Sequence, residues 1–74
     1  MLRVTLFQAR HRLFDGTATQ VVLPGEEGEV AVLDFHAPML CALTEGDVQV
    51  DEAYFPVRSG IARVERNVVT IVAN

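Results

Sequence analysis

The residues with the capacity to bind or react are few, and most of them lie in one stretch of the chain. Residues 23–40 read LPGEEGEVAVLDFHAPML, with two glycines and two prolines that turn the backbone twice. The same stretch carries an acidic cluster and one of the two histidines: Glu26, Glu27, Glu29, Asp34 and His36. A turned segment with concentrated charge indicates a binding surface, for which the remaining chain serves as scaffold.

Metal binding and catalysis would need spacings that this chain lacks. His36 and His11, taken with the nearby acids and Cys41, match no recognised ligand motif. Ser59 stands outside any strand–turn–helix context that would expose a nucleophile. Cys41 lies in the apolar run MLCAL, which predicts a buried, inert thiol. PGEEGE lacks calcium-loop spacing, and no phosphate-binding motif is present. We therefore expect no catalytic residue, metal, cofactor or small-molecule ligand.

Composition points to protein partners of basic character. Seventy-four residues form one small domain with a thin core, and a hydrophobic content of 50% argues against disorder. The net charge is −4, so nucleic acid and anionic lipid are poor partners. No apolar run approaches the roughly 20 residues of a membrane helix, which argues against direct membrane insertion. Surfaces that carry arginine or lysine are the predicted partners.

Alternation of apolar and polar residues predicts the elements that position the acidic stretch. Period-two patterns indicate strands from Leu2 to Phe7 onward, and no segment shows sustained helical periodicity. Turn signals recur every 8–12 residues, which is typical of an all-β sandwich or flattened barrel of eight to ten short, mostly antiparallel strands. The predicted turns are Asp15-Gly16, Pro24-Gly25, Glu45-Gly46-Asp47, Asp51-Glu52, Ser59-Gly60 and Arg66-Asn67.

The order of motifs resembles that of a known family. LPGEEGEVAVL, FHAP, MLCAL and GDVQV follow one another as do the motifs in the N-terminal β-sandwich domain of the epsilon subunit of F-type ATP synthases. The flanking LFDG and SGIARVERNVVTIVAN also resemble the corresponding family segments. The likeness covers essentially the whole chain, so residues 1–74 are expected to form one domain of this type.

The resemblance implies a ten-stranded sandwich and a non-catalytic role in the central stalk, or rotor, of the synthase. A subunit of this type binds the gamma subunit and the c-subunit ring and helps couple ion translocation to ATP synthesis. It would lie at the cytoplasmic face of the bacterial inner membrane, as a peripheral part of the complex. The residues expected on the c-ring side, where the family's polar loops carry arginine, are Glu29, His36, Glu27 and Asp34.

Three positions depart from the family pattern, because Ala31, Phe35 and Ile61 replace glycines. A phenylalanine adopts positive φ only at a cost, so the turn at Phe35 is expected to be rebuilt.

The family's two C-terminal helices have no counterpart in these residues, so we expect neither ATP binding nor inhibition by those helices. The departures leave an alternative open: a divergent stand-alone β-sandwich module that docks on other proteins. A small hydrolase or metal enzyme lacks its motifs.

Overall fold

The computed structural model describes residues 1–74 and contains β-strands and turns but no helix. The all-β prediction is therefore confirmed. Nine strands are present, which is within the eight to ten that the pattern predicts and one fewer than the resemblance implies, and residues 33–38 form a loop. The strands are β1 (Leu2–Gln8), β2 (His11–Ala18), β3 (Val21–Gly25), β4 (Gly28–Val32), β5 (Met39–Leu43), β6 (Gly46–Val50), β7 (Ala53–Val57), β8 (Gly60–Glu65) and β9 (Val68–Ala73).

The strands form one strongly curled sheet in the order β2-β1-β9-β8-β5-β3-β6-β7, with β4 paired to β3. All pairs are antiparallel except β1 with β9. The curl brings the two ends of this path together, because the Phe14 ring on β2 lies edge-on to the Phe55 ring on β7 at 5.9 Å. The result is a half-barrel whose last gap is filled by side chains.

The concave face of the sheet holds the core. Seventeen apolar residues are buried there, and no polar or charged side chain is buried with them. In β1, Leu2, Val4 and Leu6 are fully buried and alternate with Arg3 and Thr5, as the period-two pattern predicts. Each fully buried leucine or valine contributes about 1.5–3 kcal/mol, so alternation fixes the register of every strand.

Two predicted turns are wrong, because the residues of both lie within strands. Asp15 and Gly16 lie within β2, opposite Thr5 and Val4 of β1. The Asp15 carboxylate there accepts bonds from the Arg3 and Arg12 guanidinium groups, which stabilises an extended strand instead of a turn. The chain turns earlier, at residues 9–10. Likewise residues 24–25 belong to β3, and its turn is at residues 26–27.

Two later turns lie where the sequence predicts them, whereas those predicted at Glu45-Gly46-Asp47 and Ser59-Gly60 lie slightly earlier, at residues 44–45 and 58–59, because Gly46 and Gly60 begin β6 and β8. Asp51-Glu52 joins β6 to β7, and Arg66-Asn67 joins β8 to β9. Asp51, Arg66 and Asn67 have φ values of 51°, 53° and 61°, in the left-handed region that aspartate and asparagine tolerate best. Pro56 lies on β7, which is the outer strand at one end of the sheet order, as a residue without an N–H donor requires.

Asp51 also joins two turns that are distant in sequence. Its Oδ1 accepts bonds from the Thr19 amide at 3.0 Å, the Thr19 hydroxyl at 2.8 Å and the Gln20 amide at 3.1 Å. The Asp51 amide in turn donates to the Gln20 carbonyl at 3.0 Å. The bonds to the Asp51 carboxylate, first the one from the Thr19 hydroxyl, lower the pKa of Asp51. The β2–β3 turn is thereby fixed to the β6–β7 apex, next to the pairing of β3 with β6.

Asp51→Asn should lower the urea midpoint at neutral pH, because a neutral amide oxygen accepts weaker hydrogen bonds than a carboxylate. Asparagine keeps the backbone conformation, so the change isolates the charge. The folded-state pKa of Asp51 lies below the unfolded value of about 3.9, so its contribution is complete above that pH and is lost as the pH falls through the folded value. Urea titrations from pH 7 to 2.5 should show a smaller acid-induced loss in the variant. Glu52→Gln is the control, and equal acid profiles for Asp51→Asn and the parent would contradict the prediction.

Candidate partner-binding surfaces

The hairpin of β3 and β4 carries the densest negative charge. We call residues 25–30 the acidic hairpin; Glu26 and Glu27 form its turn and are exposed, as is Glu29 on β4. A Cβ at Gly25 would lie 2.6 Å from the Gly28 carbonyl oxygen, so only glycine permits this tight turn. The Glu26 amide donates to the Ala42 carbonyl at 2.9 Å, which holds the hairpin against β5. The carboxylates therefore project from a fixed backbone.

An open cleft of 290 Å³ separates the acidic hairpin from β5. Its walls include Glu27 and Glu29 on one side and Met39 and Leu40 on the other. Cys41 lies at this cleft and is buried, as the sequence predicts. Burial raises the pKa of the Cys41 thiol, and the charges of the hairpin turn raise it further. The thiol is therefore poorly reactive, and its pKa depends on the charges of Glu26 and Glu27.

Asp34 and His36 lie apart from the acidic hairpin, in the loop between β4 and β5. The Asp34 carboxylate forms an ion pair with the amino group of Met1 at 2.9 Å. His36 is half-buried, and its Nδ1 lies 2.6 Å from the Ala37 carbonyl, which requires Nδ1–H to be the donor. The four predicted site residues thus fall into two pairs, Glu27 with Glu29 and Asp34 with His36. No hydrogen bond or ion pair links the pairs.

The expectation that the turn at Phe35 is rebuilt is wrong. Phe35 has φ of 64°, the left-handed conformation that a glycine would adopt there. Its amide donates to Asn67 Oδ1 at 2.8 Å, and the His36 amide donates to the Leu33 carbonyl at 3.2 Å. These bonds hold the backbone in place at a conformational cost of about 1–2 kcal/mol for a residue with a Cβ.

The convex face of the sheet contains a surface that sequence reasoning missed. Strand pairing aligns Ala42 with Ile61, Ile61 with Val72, and Val72 with Phe7 across β5, β8, β9 and β1. We call these four residues the outer apolar row. Ile61 and Val72 are 57% and 55% exposed, and Leu40, further along β5, is 73% exposed. The sequence of β9, VVTIVA, does indicate this surface, because it has apolar residues on both faces of the strand although only one face can belong to the core.

Comparison with known proteins identifies the family. The model of the family described as "ATP synthase, Delta/Epsilon chain, beta-sandwich domain" matches residues 1–74. The chain therefore belongs to this family of β-sandwich domains, and the resemblance seen in the motifs is confirmed.

Curated relatives agree with this assignment. The chain is 34% identical to the ATP synthase epsilon chain of Janthinobacterium sp. (strain Marseille), with 99% of this chain and 56% of that protein aligned. It is 38% identical to ATP synthase epsilon chain 2 of Ralstonia nicotianae, with 100% of this chain and 57% of that protein aligned. The chain thus spans a little over half the length of these relatives.

Solved structures share the fold. A chain in the cryo-EM structure of the Euglena gracilis mitochondrial ATP synthase superposes with a TM-score of 0.85 at 23% identity, covering 97% of this chain and 49% of that one. A chain in the Tetrahymena thermophila mitochondrial ATP synthase central stalk/c-ring structure superposes with a TM-score of 0.77 at 19% identity, covering 97% and 62%. No helix in the present structure could cross a membrane.

The thiol of Cys41 provides a test of the field around the acidic hairpin. Replacing Glu26 and Glu27 together by glutamine removes two charges that raise the Cys41 pKa, while the larger effect of burial remains. The pH at which iodoacetamide alkylation reaches half its maximal rate should therefore shift downward in the double variant. Mass spectrometry of quenched time points measures the rate. Glu52→Gln, at the β6–β7 turn, should leave the profile unchanged, and an unshifted double variant would refute the assigned field.

Proposed function

We propose that this domain is a non-catalytic central-stalk subunit of an F-type ATP synthase, where it binds the gamma subunit and the ring of c subunits. The observation that carries the proposal is the family match over residues 1–74, together with two exposed surfaces of different chemistry. In this role the domain helps couple ion translocation to ATP synthesis by connecting two parts of the rotor. Its site would be the cytoplasmic face of the bacterial inner membrane.

The outer apolar row is the surface that we assign to gamma. Two parts of a rotor that turn together need a permanent interface, and permanent protein interfaces are more hydrophobic than transient ones. Ile61, Val72 and Leu40 are exposed on adjacent or nearby positions of the convex, hydrogen-bonded sheet face. Exposed apolar residues grouped in this way are typical of a protein interface. Binding at the row would remove apolar area from water, and because its residues lie on strands, no loop would have to be ordered at a cost in entropy.

The acidic residues are the surface that we assign to the c ring. Glu27 and Glu29 project from the braced hairpin, and Asp34 and His36 belong to a loop bonded to the β8–β9 turn. A carboxylate on a fixed backbone can accept a two-pronged arginine contact with little loss of side-chain freedom. The net charge of −4 favours approach to arginine-bearing loops. Contacts of this kind fix the rotational register between domain and ring more than they add affinity.

Ile61→Asp combined with Val72→Asp should abolish co-purification with gamma or weaken binding by at least about tenfold, because it places charge in a dehydrated interface. The fold should survive, since both side chains point away from the core. Pull-down with tagged gamma, followed by titration calorimetry, measures the loss. Tyr54→Asp, an exposed aromatic residue on β7, is the matched control. If the unaltered domain fails to bind gamma at micromolar concentration, the proposed function is wrong and the stand-alone module is favoured.

Glu29→Arg should reduce ATP-driven ion pumping per ATP hydrolysed in reconstituted synthase, because it opposes like charges at the proposed contact with the c ring. The substitution is on an exposed strand position, so the urea midpoint of the isolated domain should change little. Fluorescence quenching in vesicles measures pumping, and a coupled assay measures hydrolysis. Glu52→Arg makes the same charge change at the β6–β7 turn. Equal pumping ratios in the two variants would remove Glu29 from the interface.

A further inference from the structure

Phe35 is the most exposed large apolar residue of the domain, with 90% of its surface accessible to solvent. It also occupies a left-handed backbone position, with φ of 64°, that glycine would fill without strain. A phenylalanine at this position therefore gains nothing from burial and incurs a conformational cost. Neither packing nor backbone geometry within the domain accounts for its side chain.

The backbone that presents Phe35 is fixed on both sides. The Phe35 amide is bonded to Asn67 Oδ1, and the Asn67 carbonyl accepts from the Arg3 amide at 2.8 Å, which connects the turn to β1. On the preceding residue, the Asp34 carboxylate is paired with the Met1 amine. The aromatic ring thus projects from a braced turn, and a partner would need to order only two side-chain torsions to bind it.

Asp34, the residue before Phe35, carries a carboxylate with one oxygen free to bind a partner. Asp34 engages the Met1 amine through Oδ1, its side chain is 43% exposed, and Oδ2 has no partner within the domain. An exposed aromatic residue that follows a residue with a free carboxylate oxygen matches the chemistry of one side chain above others. Arginine stacks its planar guanidinium on aromatic rings while its N–H groups bind carboxylate oxygens, whereas lysine is a compact point charge that does not match this planar fork.

We propose that Phe35 and Asp34 together bind an arginine side chain of the partner, with the guanidinium stacked on the Phe35 ring and hydrogen-bonded to Asp34 Oδ2. This inference rests on the proposed function, because the partner we assign is an arginine-bearing polar loop of the c ring. The loop position of Asp34 and Phe35 is continuous with His36, on the side proposed to face that ring. The negative net charge of the domain disfavours the alternative that Phe35 enters a lipid headgroup layer.

The test measures binding of the domain, in complex with gamma, to purified c ring in detergent by biolayer interferometry. Phe35→Leu keeps an apolar side chain but removes the ring, and should weaken binding by about twofold to fivefold, as expected for an exposed cation–aromatic contact. Phe35→Trp should bind at least as tightly as the parent. Tyr54→Leu, which removes an exposed aromatic ring from β7, is the matched control and should have no effect.

Two further measurements make the assignment specific. Changing the loop arginine of the c ring to glutamine should remove the difference between Phe35 and Phe35→Leu, as a double-mutant cycle requires of a direct pair. Phe35→Gly should keep or raise the urea midpoint of the domain while weakening binding to the ring, which separates recognition from folding. If Phe35→Leu binds as well as the parent while Glu29→Arg still weakens binding, the arginine site is refuted and the proposed function stands. If the parent complex does not bind the ring, both are wrong.

Discussion

The domain has one interior, and every strand can supply only alternate residues to it. Seventeen apolar side chains fill this space without a single buried polar group, so the inward parity of each strand is determined by water exclusion alone. The outward parity is free of that demand. The carboxylates of the acidic hairpin, the exposed residues Ile61 and Val72 of the outer apolar row, and Phe35 in its loop all occupy positions outside the core. The core and the surfaces proposed for partner binding therefore use different sets of side chains.

The turns connect these two sets. Asn67 reverses the chain between β8 and β9, and its side chain also accepts the amide of Phe35 from a loop 32 residues earlier. Asp51 reverses the chain between β6 and β7, and its carboxylate holds the turn at Thr19. In both cases one residue with a left-handed backbone performs a local and a distant task. These hydrogen bonds consequently hold the exposed loops in place against the turns of the sheet.

Local chemistry explains which features could be predicted from the sequence. The turns at Asp51 and Asn67, the burial of Cys41 and the edge position of Pro56 depend on neighbouring residues, and all were predicted correctly. Asp15-Gly16 was misread because the strand there is stabilised by Arg3, twelve residues away. The outer apolar row escaped prediction for a related reason. Its members become neighbours only through a strand order that inserts β9 between β1 and β8, and no local pattern specifies that order.

The parallel pairing of β1 with β9 has a consequence for how the domain is made. On the edge of β1 that faces away from β2, residues 3–8 pair with residues 68–73, so this strand pair joins the two ends of the domain. During synthesis β1 and its hairpin partner β2 emerge first and have an unpaired inner edge until β9 leaves the ribosome. The sheet cannot close stepwise from the N-terminus. Completion of the sheet therefore needs both ends of the chain, and pairing over so long a sequence separation slows folding.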